Sequence, residues 1–354
     1  MRKERLFYLD FIRAIATISI IMTHFNARYI YAGAQYIYKA IISTTFFNIY
    51  IGDWGVSLFF IISGAALMYV YQEKLEYKRF YKKRFESLYP MFWMAYIIAF
   101  IGLFYLNKGM FLQAPKKNFI LTIIGFDGYL AANVPTFYIL GEWFLGCIIL
   151  FYVLFPLLRT GVNKYPKATV VVTAMIYLTF IFFYHGVFDM SKIVFVRMPE
   201  FLMGMYFIKY IKKVNLPMLV TSIVVLALNL ILKPQWSNHL QTTYVGISSF
   251  FILVYISKYF DNKFFQKVSS CISKYSYAIF LVHHVIIAQV MARVDLTQIS
   301  WFGSYKLFAL CCIIIGICAF LLFQIHKYIM KFIKGKMLLP IKFHGGCPSP
   351  FKTL

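Results

Sequence analysis

Three ionisable side chains occur in an apolar stretch near the start of the chain, at a spacing typical of one helix face. Arg13 and His24 are eleven residues apart, which at about 100° per residue brings them within about 20° of one direction and about 16 Å apart along a helix. Asp10 precedes Arg13 by about one turn. An imidazole titrates near neutral pH and suits proton transfer, whereas a guanidinium stays charged and binds phosphate or an oxyanion. Since ionisable groups inside a membrane helix are costly, we expect Asp10, Arg13 and His24 to be functional.

A pair of adjacent imidazoles, His283 and His284, occurs in a later apolar stretch. Successive helical residues point about 100° apart, so we expect at most one of the two to share a site with His24. We assign His283 as a second proton-handling group and expect the other ring to be a structural hydrogen bonder.

Polar residues also open two further apolar stretches. Glu142 and Trp143 precede one of them, and Arg197 and Glu200 lie at the start of another. These four side chains either face lipid headgroups or bind an acceptor substrate at the outer face.

A cationic run, Arg79, Lys82, Lys83 and Arg84, precedes a helix that contains Pro90. One interpretation is a topological anchor, since cytoplasmic loops of membrane proteins are rich in Lys and Arg. The other is a cytoplasmic site for the phosphates of a coenzyme.

The elements that must position these residues are membrane helices. Hydrophobic residues make up 61% of the 354 residues and charged residues only 14%, against about 25% charged in soluble domains. A bilayer requires about 20 apolar residues per helical span. This pattern predicts an all-α integral membrane protein with about ten spans, and a short interfacial helix at residues 119–126 in the outer segment between the third and fourth spans. The ten predicted spans are residues 8–31, 54–71, 88–106, 137–158, 168–184, 194–211, 216–232, 244–259, 276–294 and 305–332.

Charge placement sets the predicted orientation. The chain has 36 Lys and Arg against 12 Asp and Glu, a net charge of +24. With both termini in the cytoplasm, 25 of the basic residues fall in cytoplasmic segments, 10 in outer segments and Arg13 in the membrane, as the positive-inside rule requires. Topology therefore explains the charge, and no nucleic-acid partner is expected. We predict one membrane domain, residues 1–336, and a short cytoplasmic tail, residues 337–354.

The order of these features resembles the acyltransferase type three family of integral membrane acyltransferases. The resemblance covers nearly the whole chain and depends on the order and spacing of several modest motifs. They are Arg13 with His24, the Gly55–Gly64 stretch, the basic run from Arg79 to Pro90, Trp143 with Phe151, Tyr152 and Pro156, Phe201 with Gly204 and Met205, and Ser276 and Tyr277 with Leu281 and His283.

The resemblance implies a ten-helix enzyme that takes an acyl group, usually acetyl, from cytoplasmic acetyl-CoA or another acyl-CoA. It implies transfer to a hydroxyl of a surface polysaccharide or its lipid-linked precursor. The compact ten-helix form, for its part, suits a multi-pass protein of a bacterial plasma membrane. By the same likeness Arg13 and His24 match the catalytic or acyl-handling pair, and Arg84 matches the first arginine of a cytoplasmic Arg-x-x-Arg pattern. With Asp10 to orient Arg13 and His283 as a second proton-handling group, we expect Asp10, Arg13, His24 and His283 to be catalytic. The basic run would bind the coenzyme.

Two positions depart from the family pattern. Ser87 stands where the second arginine occurs, so Lys82, Lys83 and Arg84 would have to supply the phosphate contacts. Ile148 stands where many relatives carry a carboxylate, and the resemblance leaves open whether Glu142 replaces it.

Other classes of function make different predictions. A transporter or flippase of a glycan or small anion would use Arg13 and His24 for binding, and a non-catalytic assembly subunit would tolerate loss of both. The chain has no HExxH, Walker or Gly-x-Ser-x-Gly motif in a usable context, so we expect neither a metal nor nucleotide hydrolysis. The acceptor glycan, the acyl group and the oligomeric state do not follow from the sequence.

Overall fold

The computed structural model of the protein describes residues 4–333 together with Gly335. In chain order its helices are α1 (Phe7–Ala32), α2 (Ile51–Tyr71), α3 (Tyr77–Leu106), α4 (Phe119–Ile124), α5 (Asp127–Leu130), α6 (Trp143–Lys164), α7 (Pro166–Phe183), α8 (Val194–Tyr206), α9 (Leu216–Leu232), α10 (Asn238–Ser257), α11 (Lys263–Met291) and α12 (Trp301–Ile333). Eight of them, α1, α2, α3, α6, α7, α10, α11 and α12, are long and apolar enough to cross a bilayer.

The other two predicted spans are shorter helices. α9 has 17 residues, and α8 has 13 residues that a π-helical turn, Phe207–Ile211, continues. Among the described residues, strands are limited to the short pair Thr45–Phe46 and Ile49–Tyr50. The expected all-α membrane fold is confirmed. The predicted tail, residues 337–354, lies outside the described residues.

The helix starts differ most from the predicted ones at α3, α11, α6 and α10, and α10 begins at Asn238 rather than residue 244. α3 begins at Tyr77 rather than residue 88, because no glycine or proline interrupts the basic run before Pro90. α11 begins at Lys263 rather than residue 276, where the Asn262 side chain accepts from the backbone N–H groups of Phe264 and Phe265. α6 begins six residues later than predicted, because Gly141 adopts a φ of 81°. The basic run is therefore part of a helix and not a loop.

The tightest helix crossing joins α2 and α8. A side chain at Gly64 would overlap the carbonyl oxygen of Phe201, and one at Gly204 would overlap that of Ile61. Small residues at such positions let two backbones approach closely, as membrane helix interfaces require. α1 and α11 pack beside this pair, whereas most residues of α7 face outward.

The predicted interfacial helix, residues 119–126, corresponds to α4, and α5 follows it directly. A parallel bridge pairs Gly128 of α5 with Glu142, just before α6. A side chain at Gly128 would collide with the Gly141 backbone. This contact ties the outer segment to the start of α6 and fixes the backbone of Glu142.

Candidate active site

Three histidine rings meet where α1 packs against α11. The His24 ring centroid lies 4.7 Å from that of His283 and 5.1 Å from that of His284, both in edge-to-face contact. The His283 side chain is fully buried, while the His24 and His284 residues are partly exposed. The packing brings together two potential proton carriers, His24 and His284, that a substrate can reach.

The expectation that only one ring of the His283–His284 pair faces His24 is wrong. The two rings do diverge by about 100° around α11, but His24 lies between the two directions and contacts both. The sequence did not predict a role for His284, because the angle between residues of one helix cannot show where a neighbouring helix places its side chains. The only sequence feature that pointed to His284 was its position next to His283.

His283 is the inner member of the pair. Its Nδ1 lies 2.8 Å from the carbonyl oxygen of Phe280 and 3.2 Å from that of Ile279, one turn earlier on α11. Nδ1–H therefore donates to these carbonyls, and in the neutral ring Nε2 keeps its lone pair. Within the described part of the chain, Nε2 has no hydrogen-bond partner.

His284 contacts the carboxylate of Glu142, the residue just before α6, without a hydrogen bond at Nδ1. Its Nδ1 lies 3.1 Å from Oε1 of Glu142. The Tyr138 hydroxyl donates to the same oxygen at 2.6 Å, and the Tyr138 ring stacks on His284 at 6.2 Å. Glu142, which we expected to contact the acceptor, thus belongs to the histidine cluster. Tyr138 was not predicted.

Asp10 and Arg13 form a second polar layer nearer the predicted cytoplasmic end of α1. Arg13 Nη1 donates to the Ser273 hydroxyl at 3.2 Å, and Ser273 donates to Asp10 Oδ1 at 2.6 Å. Arg5 forms an ion pair with the other oxygen of Asp10. Asp10 therefore orients Arg13 through Ser273, a residue that sequence reasoning missed because it lies 260 positions away on α11.

Both layers lie between α1 and α11, but their side chains do not contact one another. Arg13 and Ser273 lie at one level of α1 and α11, and His24 and His283 lie at another. Eleven residues along α1 correspond to about 16 Å. The three predicted residues on one face of α1 therefore form two separate sites along the helix, and not a single catalytic group.

The basic run lies beside the Arg13 layer. The Arg84 guanidinium carbon lies 5.5 Å from the Tyr152 ring centroid and 5.9 Å from that of Phe80. Tyr152 in turn lies near Arg13. Arg79 and Lys82 are exposed, and Lys83 and Arg84 are partly buried. Basic side chains thus extend from the surface of α3, at Arg79 and Lys82, to Arg84 beside Tyr152.

The remaining predicted site residues form a cluster around one buried guanidinium. Arg197 donates to Asp53 Oδ1 at 3.0 Å and to Glu200 Oε1 at 3.3 Å. The guanidinium also lies 5.7 Å from the Trp143 ring centroid. Glu200 is fully buried, whereas 32% of the Asp53 side chain is exposed. Asp53, which sequence reasoning missed, is the exposed carboxylate of this cluster.

The histidine cluster also has donor types that zinc accepts. His24, Glu142 and His284 each offer one ligand atom, and these atoms lie within 4.8 Å of one another. Two imidazoles and a carboxylate form a known zinc ligand set. The expectation of no metal was based on motif spacing and stays a prediction.

Comparison with known proteins assigns this arrangement to a family. A family model described as an acyltransferase domain matches residues 6–323. Acyltransferase MdmB of Streptomyces mycarofaciens is 26% identical over 179 residues, a match that covers 47% of this chain and 42% of that protein. The chain thus matches less than half the length of this relative. No solved structure shows a significant match. Since the family model covers most of the sequence, the protein belongs to this acyltransferase family and is a multi-pass membrane member of it.

Proposed function

We propose that the protein is an O-acyltransferase of a bacterial plasma membrane. It moves an acyl group, most simply acetyl, from cytoplasmic acyl-CoA to a hydroxyl of a cell-surface polysaccharide or its lipid-linked precursor. The observation that carries this proposal is a line of separate polar groups along α1: Arg84 and Tyr152 near Arg13 and, about 16 Å further along the helix, the histidine cluster at His24. Such a line suits a reaction whose two substrates approach from opposite faces of a membrane.

The donor end of this line has the chemistry for a coenzyme. Exposed Arg79 and Lys82, with partly buried Lys83 and Arg84, offer positive charge to the coenzyme phosphates. Arg13 lies deeper and is held by Ser273. A guanidinium there can bind a pantetheine carbonyl, because it presents several fixed N–H donors and never loses its charge. The flexible pantetheine arm then extends along α1 towards the histidine cluster.

The transfer itself needs a nucleophile or base beside the thioester. His24 is the member of the predicted stripe whose ordinary pKa lies near the operating pH. Its imidazole either takes the proton from the acceptor hydroxyl or carries the acyl group between the two substrates. N–H groups of neighbouring side chains would stabilise the oxyanion that forms in either case.

The acceptor end lies at the predicted outer face. Trp143 offers an aromatic ring for a sugar to stack on, and the exposed part of Asp53 offers a hydrogen-bond acceptor for sugar hydroxyls. Arg197, buried between Asp53 and Glu200, fixes the position of that carboxylate. These groups suit a polar, uncharged acceptor such as a glycan.

The test compares the surface glycan of cells that carry the wild-type protein with that of cells carrying His24→Ala. Proton NMR or mass spectrometry measures ester-linked acyl groups, and immunoblotting of membranes measures protein abundance. We expect the ester content to fall at least about 100-fold at equal abundance. The control is His185→Ala, which removes an exposed histidine from the loop between α7 and α8 and should leave the ester content unchanged.

The result that contradicts the proposal is an unchanged acyl-ester content in the His24→Ala cells. If the amount of surface glycan changed instead while its acylation stayed the same, the transporter interpretation of Arg13 and His24 would replace the enzyme.

A further inference from the structure

Arg28 places a positive charge on the same side of α1 as His24, nearer the predicted outer end of the helix. It follows His24 by four residues, which corresponds to about 6 Å along the helix axis and about 40° around it. Helical side chains tilt towards the N-terminal end of their helix, which for Arg28 is the side of His24. Arg28 does lie near His24, so its guanidinium is a neighbour of the histidine cluster.

This charge has no partner in the described part of the chain. Across residues 4–333 and Gly335, Arg28 makes no hydrogen bond, ion pair or ring contact. It is partly exposed, so a ligand can reach it. An ionisable side chain in a membrane helix is costly unless it is paired. We therefore expect an anion from outside the chain to bind there.

Other cationic side chains at the outer ends of the helices do have partners. Arg197 forms ion pairs with two carboxylates. Lys39 Nζ donates to two backbone carbonyl groups at 3.0 Å, and Arg293 donates to Gln289 on its own helix. These three cations are satisfied within the protein, whereas Arg28 keeps its N–H donors for a ligand.

Phosphate is the anion that suits this position best. A planar guanidinium binds phosphate through two parallel hydrogen bonds. Arg28 also lies about 6 Å from the end of α1 at Ala32, near the predicted membrane surface, where a lipid-linked glycan carries the phosphate between its lipid and its first sugar. The oxyanion of the transfer step exists only during the reaction, so it cannot balance this charge in the resting protein.

We propose that Arg28 binds the phosphate that joins the acceptor glycan to its membrane lipid and so places the adjoining sugar beside His24. The inference rests on the proposed acyltransferase function and selects the lipid-linked precursor over the finished polysaccharide as the acceptor. Arg28 is then a residue that determines specificity, and Trp143 and Asp53 remain available for the uncharged sugars.

The experiment compares acceptors with and without the lipid phosphate. Lipid-linked glycan is extracted from membranes of the host cells and deacylated, and half of it is treated with mild acid, which releases the glycan from its lipid phosphate. Purified full-length wild type, Arg28→Gln and Arg28→Lys are assayed with radioactive acyl-CoA and each acceptor. The measured quantity is kcat/KM for the lipid-linked glycan divided by kcat/KM for the released glycan.

We expect the wild type to prefer the lipid-linked glycan and Arg28→Gln to lower the ratio at least about tenfold, as the loss of one charge-assisted contact predicts. Arg28→Lys keeps the charge but loses the planar fork, so its ratio should fall at least about threefold. This second variant decides the test if Arg28→Gln is inactive with both acceptors. The control is Arg293→Gln, which removes an outer arginine that has a partner on its own helix and should give the wild-type ratio.

A wild-type ratio in the Arg28 variants would overturn the proposal. If their activity fell equally with both acceptors, Arg28 would stabilise the oxyanion of the reaction. If their activity did not fall at all, its anion would be the phosphate of bulk phospholipid. An equal fall of the ratio in Arg293→Gln, or a wild type without preference, would also overturn it. Absence of acyl transfer to either acceptor by the wild type would instead count against the acyltransferase function itself.

Discussion

At the scale of single residues, the buried ionisable groups are explained by partners on other helices. Helical periodicity was enough to place Asp10, Arg13 and His24 on one face of α1. The contacts that Arg13 makes with Ser273, and His24 with His284, join positions about 260 residues apart. No pattern within one helix encodes such a pair, so the partners of these side chains could be found only in the structure.

Asp127, in the outer segment, carries a prediction about pH. Burial raises the pKa of its carboxyl from 3.8 to about 6, and the Thr122 hydroxyl opposes that shift. Because the folded state binds this proton more tightly than the unfolded state does, stability falls as pH rises from about 4 to about 6. Above that range the penalty is constant.

We expect Asp127→Asn to remove this penalty, since the amide has a similar size and no charge. The variant should be more stable than the wild type at pH 7.5 by about 1–3 kcal/mol, and the difference should disappear near pH 4. Thermal unfolding of the detergent-purified proteins at both pH values measures it. An equal melting temperature at pH 7.5 would show that the buried carboxylate costs nothing.

At the scale of elements, the sequence predicted the spans better than their ends. α9 spans exactly the predicted residues, because Asn215 caps its start. α3 and α11 instead extend more than ten residues beyond their apolar parts. Hydropathy detects the part of a helix that lies in lipid, whereas these polar extensions form because the backbone continues its hydrogen bonding into water.

The crossing of α2 and α8 gives a prediction at this scale. Gly204→Ala should force the two helices apart, because the added methyl group would overlap the carbonyl oxygen of Ile61. We expect a loss of about 2 kcal/mol or more and a lower yield of protein in membranes. Fluorescence-detected thermal stability after detergent extraction measures this loss.

The matched control is Gly316→Ala in α12. An added methyl group there meets no atom within 4 Å, and alanine favours the helix over glycine by roughly 0.5–1 kcal/mol. The control should therefore be neutral or slightly stabilised. Equal stability of the Gly204 and Gly316 variants would contradict the close crossing.

At the scale of the whole molecule, the charge asymmetry and the order of the site residues agree. The basic run on α3 and the Arg13 layer lie towards the end that Lys and Arg content predicts to be cytoplasmic. The histidine cluster and Arg197 lie towards the other end. This agreement could be predicted, because charge counts and helix periods are properties of the sequence. The contact between Glu142 and His284 could not be predicted, because it depends on how α6 packs against α11.

The most direct test of the central claim is acyl transfer across a sealed membrane. The protein is reconstituted in liposomes that enclose deacylated surface glycan, and labelled acyl-CoA is added outside. There the acyl-CoA reaches those protein molecules whose basic run on α3 faces the outside of the liposome. We predict acyl ester on the enclosed glycan with the wild type and none with His24→Ala. Ester formed only on glycan added to the same side as the coenzyme would contradict the account.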